Sequence, residues 1–168
     1  QEQEMRGRMQ SLSENSLDVI LRVMLDTEIS YINPSIEPYT NLKPENLVGQ
    51  KLNDTQLPNS IVEMLHQVLG KVVSTSEKHE TELEFIGASG ERVVTTNAIP
   101  EFDKEGKLDS VLFVLHDITH RKIIEMELQD KNQKITDSIN YARHIQNAII
   151  PSMKQIQQEF PNSFMFYR

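Results

Sequence analysis

The chain has 168 residues, with 17 basic and 25 acidic side chains, a net charge of −8 and no cysteine. That length holds one domain plus helical extensions, and the missing thiols exclude disulfide scaffolds, thiolate metal sites, thiol nucleophiles and cysteinyl-adduct photochemistry. Residues 1–117 carry 10 basic against 20 acidic groups and residues 118–168 carry 7 against 5, an acidic body and a weakly basic tail that argue against a nucleic-acid partner.

Met5, Met9 and Leu12 form a narrow apolar stripe among charged and Gln residues, which predicts the end of an incoming helix. Val19, Leu21, Val23 and Leu25 alternate with their neighbours, and Ile29 to Ile32 follow after Asp26 and Thr27, as two short antiparallel strands would. Asn33-Pro34 is a helix-start signal in which Asn caps the free amides. Pro44 and Gly49 bracket another short turn, with Gly49 suited to a left-handed end, so residues 33–57 are expected to form brief helical turns.

Ile61, Leu65, Val68 and Val72 form one row from Ser60 to Val73, with Val62, Leu69 and Val73 beside it, which predicts the main core helix. Strands are expected near residues 79–87, 91–101 and 108–118, joined by turns at Ala88-Ser89-Gly90 and Asp103 to Gly106. Five strands with helices between the second and third make a small antiparallel α+β domain. From Thr119 to about Ile150 there is no Gly or Pro, and Leu128, Ile135, Ala142 and Ile149 recur every seven residues. A strict seven-residue repeat implies pairing along a seam, most simply with a second copy, because a lone helix of about 45 Å with such a stripe is a poor monomer in water. Pro151 ends or kinks this helix, and Phe160, Phe164 and Phe166 alternate like the first strand of a further domain.

These residues resemble a PAS domain. The opening strand pair from Asp18, the run ISYINPSIEPYTNLKPENLVGQKL, and Asp117-Ile118-Thr119 with Arg121 carry the resemblance over roughly residues 11–121. It departs at Asp26-Thr27-Glu28, where the family usually has a glycine. The resemblance implies a five-stranded antiparallel sheet with helices on its concave face, where a ligand can sit. The tail, SINYARHIQNAIIPS followed by FPNSFMFYR, resembles the linker and first strand that precede serine/threonine phosphatase domains of the sporulation stage II E (PPM) type. EMRGRMQ resembles the helical connector entering such modules. The phosphatase metal-binding aspartates would lie beyond that strand, so the chain is expected to be an excerpt without catalysis of its own. The implied organisation is an incoming signalling helix (1–12), a PAS domain (13–119), a coiled-coil linker (120–150), and a linker with a truncated first strand (151–168).

Candidate side chains follow. Thr95 and Asn97 share a face with Val93 and Ile99, and with Tyr31 they are candidates for lining a ligand pocket; the alternative, that this face is the outer one, is equally weighted. Few aromatics and no Trp precede residue 117, which disfavours haem and flavin and leaves the cofactor unknown. His66 is the best-placed haem ligand, but it falls at the margin of the helix's apolar face; His79, His116 and His120 have no partner at ligand spacing, so no metal is expected. His144 is followed by Ile145-Gln146-Asn147, which lacks the acidic or Asn residue expected directly after a kinase phosphoacceptor. Thr119 is expected to cap the outgoing helix and Asp117 to pair with Arg121 or the backbone, together fixing the angle at which strand becomes helix; in the family resemblance this junction carries the signal. Leu128, Ile135, Ala142 and Ile149 are the expected dimer seam. No apolar run approaches the roughly 18 residues of a membrane span and no signal segment opens the chain, so a cytoplasmic homodimeric sensor module, with or without a small ligand, is the expectation.

Overall fold

Strand β1 (Val19–Met24) buries Val19, Leu21 and Val23 and leaves Ile20, Arg22 and Met24 half-buried on its other face, as period-two alternation requires. In the computed structural model, which describes residues 14, 16–149 and 153–159, β1 pairs antiparallel with β2 (Ile29–Ile32). The turn between them closes without glycine. Thr27 takes φ 74° there, the Met24 amide donates to the Glu28 carbonyl at 2.8 Å, and the Thr27 amide donates to the Met24 carbonyl at 2.9 Å.

Residues 33–57 are brief helical turns at Pro34–Ile36, Pro44–Asn46 and Leu52–Asp54, with the single-turn helix α1 (Glu37–Thr40) among them. Asn33 stands before the first turn but its side chain does not cap it. The fully buried amide instead reaches back to β1, accepting from the Ile20 amide at 2.9 Å and donating to the Asp18 carbonyl at 2.9 Å. A buried side chain beside an unsatisfied strand end satisfies those main-chain groups in preference to the exposed amides of a turn. Gly49 does occupy the left-handed region, at φ 84°, and donates to the Ile29 carbonyl at 2.8 Å.

Helix α2 (Asn59–Thr75) buries Ile61, Met64, Leu65, Val68, Leu69 and Val72. Val73, expected on this face, is about half exposed, because the stripe is centred between Leu65 and Val68 and Met64 lies nearer that centre. The last three strands are β3 (His79–Gly87), β4 (Gly90–Phe102) and β5 (Leu108–Asp117). The sheet order is β2-β1-β5-β4-β3, antiparallel throughout, so the first and last strands of the sequence lie side by side at its centre. α2 packs across β3, β4 and β5. The core between helix and sheet is apolar, with Val23, Ile29, Leu47, Leu52, Leu65, Val72, Val111 and Phe113 all at 1% exposure or less, each such side chain contributing about 1.5–3 kcal/mol. On the outer face of the edge strand β3, Glu80, Glu82 and Glu84 are exposed.

Helix α3 (Thr119–Ile149) is unbroken over 31 residues and buries none of them. A short helix α4 (Met153–Glu159) follows within the stretch expected to be linker. The expected incoming helix at residues 1–12, Pro151 and the strand-like Phe160, Phe164 and Phe166 lie outside the described residues.

Candidate functional site

The junction between β5 and α3 is built around one carboxylate. Asp117 ends β5 on the sheet's inner face, opposite Val94. Its Oδ1 accepts from the Thr119 amide at 2.9 Å and from the Thr119 hydroxyl at 2.6 Å, and its Oδ2 accepts from the Tyr39 hydroxyl at 3.1 Å. Asp117, not Thr119, is therefore the side chain that takes up a free amide at the start of α3. The Thr119 hydroxyl has a different role, accepting from the Val93 amide at 3.0 Å, while the Ile118 amide donates to the Val93 carbonyl at 2.9 Å. The outgoing chain is thus stitched to β4 one residue after it leaves β5. Lys122 adds an ion pair with Glu82 of β3 at 3.0 Å. Arg121 is exposed on the same first turn; the hydrogen-bonding partners that hold Asp117 are Thr119 and Tyr39.

Burial pushes the Asp117 carboxyl up, but the hydrogen bonds from Thr119 and Tyr39 and the nearby Arg92 charge outweigh it and hold the group below its ordinary value. Tyr39 moves the other way: partial burial, then the Asp117 charge and the hydrogen bond to it, raise its hydroxyl above the usual range. At pH 7 the pair is a neutral phenol donating to a carboxylate, a charge-assisted bond.

The three pocket candidates do not meet in the core. Tyr31 sits opposite Arg22 in the sheet, Thr95 opposite His116 and Asn97 opposite Val114, and all three project from the outer face, away from the helices. The outer-face alternative is the one that holds. The polar group of β4 that does enter the core is Thr96, one residue away, fully buried with a hydroxyl that has no hydrogen-bond partner among the described residues. Val93-Val94-Thr95-Thr96 is a pair of doublets, so either parity looks equally apolar. The outer face also carries a bridge across β5: Arg22 Nη2 donates to Glu101 Oε1 at 2.9 Å, and the buried Ser110 hydroxyl donates to Glu101 Oε2 at 2.8 Å. Burial pushes Glu101 up, yet the Arg22 and Ser110 bonds and the Arg22 charge bring it below the ordinary glutamate value.

His66 Nε2 lies 2.8 Å from Asn53 Oδ1 at the margin of α2, a boundary position. His116 pairs with Asp18 at 2.6 Å. Among the described residues no group of His, Asp or Glu is placed to hold a metal, and no described helix is long and apolar enough to cross a membrane. On α3, Leu128 and Ile135 are 57% exposed and Ile149 72% exposed, with Ala142 exposed between them. The seven-residue row is one uncovered stripe.

The family described as the PAS fold matches residues 13–123. The PAS domain of BvgS from Bordetella pertussis is 16% identical, with 78% of this chain and 98% of that one covered at a TM-score of 0.60. A sensory box sensor histidine kinase from Vibrio cholerae is 16% identical, covering 70% and 94%, with a TM-score of 0.53. The VqmA dimer of Vibrio cholerae is 17% identical, covering 68% and 52%, with a TM-score of 0.61. Among curated proteins none matches. The five-stranded antiparallel sheet, its helical cover and the matched residues together establish that the chain belongs to the PAS family, the domain type found in sensor kinases and other signalling proteins.

Proposed function

We propose that this chain is a non-catalytic sensor and dimerisation module that pairs with a second copy through α3 and passes a signal along that helix to an output domain. One observation carries the reading: Leu128, Ile135, Ala142 and Ile149 recur at seven-residue intervals on an unbroken helix and are all exposed. Covering such a stripe is what two helices in register do. A signal is then a shift between two packings of the paired helices, no larger than the input's differential affinity for the two states. For the output, the resemblance of residues 138–152 and 160–168 favours a stage II E-type phosphatase domain.

Sedimentation of the purified chain tests the pairing. The expected result is a dimer at micromolar concentration that Ile135→Asp converts to monomer while the sheet stays folded by amide exchange. Lone wild-type subunits at high concentration with α3 helical would overturn the proposal. A second reading, a ligand-free structural module, draws on the outward placement of Tyr31, Thr95 and Asn97. Native mass spectrometry of unheated protein separates the two: a retained small molecule supports a ligand-gated sensor, and a bare dimer supports the structural module.

A further inference from the structure

Tyr39 is held from three directions, and each contact reaches a different element. Its ring meets Phe85 of β3 edge-on, with centroids 6.5 Å apart. Its carbonyl accepts from the Ala88 amide, in the β3–β4 turn, at 2.7 Å, and the Ser89 hydroxyl donates to the neighbouring Pro38 carbonyl at 3.3 Å. Gly87 permits that closeness, since a Cβ there would stand 2.7 Å from the Tyr39 carbonyl oxygen. Its hydroxyl reaches Asp117, 78 positions along the chain. Asp117 thereby divides its two oxygens between α1 and the start of α3.

Packing alone accounts for the ring but not for the hydroxyl, which a phenylalanine would lack at no cost to the Phe85 contact. A displacement of α1 lengthens the Tyr39–Asp117 bond and frees the carboxylate to turn, and the Thr119 amide and hydroxyl are tied to the other oxygen of the same group. We infer that Tyr39 is a positioning residue that sets the start of α3 through Asp117, so that movement of the helical cover reaches the outgoing helix by this bond. The inference rests on the reading of α3 as the exit path.

The test uses the 168-residue chain and Tyr39→Phe, Asp117→Ala, the double variant and Gly87→Ala, followed by amide hydrogen exchange and carboxyl titration by NMR. Tyr39→Phe is expected to speed exchange of the amides from Ile118 to Lys122 about three- to tenfold, the scale of one lost hydrogen bond, with Phe113 and Ala98 within about twofold of wild type. It also raises the Asp117 titration midpoint, which a purely packing role of Tyr39 would leave in place. In the Asp117→Ala background, which leaves the Tyr39 hydroxyl no side-chain acceptor there, Tyr39→Phe adds nothing. Gly87→Ala, which pushes on the Tyr39 carbonyl, loosens the same amides in wild type and less so in Tyr39→Phe. Unchanged junction exchange and an unchanged Asp117 midpoint in Tyr39→Phe would overturn the inference, as would additive effects in the double variant. Sedimentation of the same samples judges the pairing of α3 separately: lone subunits would remove the exit-path reading and leave the exchange data to decide Tyr39.

Discussion

Asp117 and Glu101 both titrate below the ordinary carboxylate range in the folded chain. A depressed folded value means that each contributes stability that is complete above the unfolded values of about 3.9 and 4.3, and lost as pH falls through the lower folded ones. Unfolding by acid is therefore expected to set in below about pH 4, with a steepness that Asp117→Asn and Glu101→Gln each reduce; chemical denaturation followed from pH 7 to pH 2 checks this. Both groups are partly solvated, so the effect falls short of that of a buried pair. Thr27 gives a prediction of the opposite sign. A β-branched residue at φ 74° is strained. Thr27→Gly is expected to stabilise the chain by about 1 kcal/mol, seen as a higher denaturation midpoint with the same slope. The sequence departure from the family's glycine was visible, and the structure places a left-handed φ on Thr27 in that turn.

At the scale of elements, strand and helix positions were legible because each has one periodicity with no competitor. The expected strands at 79–87, 91–101 and 108–118 lie within a residue or so of those observed, and so does the helix from Thr119. Which face of β4 points inward was not legible, because the Val and Thr doublets present the same hydropathy in both phases. Only the pairing of Val94 with Asp117 and of Ala98 with Phe113 settles it, and both are long-range. Tyr39 was invisible for the same reason: a hydroxyl that finds its acceptor 78 residues away leaves no local pattern. The Asn33 clamp shows a local rule overridden, since a cap signal was present but the buried strand end took the side chain.

At the scale of the whole molecule, the sheet and α3 are joined in sequence by the β5–α3 junction. If helix register is the messenger, inserting four residues into α3 of an intact protein breaks the seven-residue phase, whereas inserting seven restores it. The expected outcome is lost or inverted regulation for the four-residue insertion and near-normal regulation for the seven-residue one, read as output activity with and without stimulus. Equal regulation in both would remove register from the mechanism.

The sheet's free margin has its own consequence. β3 closes the sheet on one side with a main chain that could zip onto a neighbour, and unpaired strand edges invite runaway stacking. Glu80, Glu82 and Glu84 stud that margin with anions, so two copies drawn together there would confront like charges rung by rung. Edge-to-edge stacking of copies through β3 is thereby disfavoured.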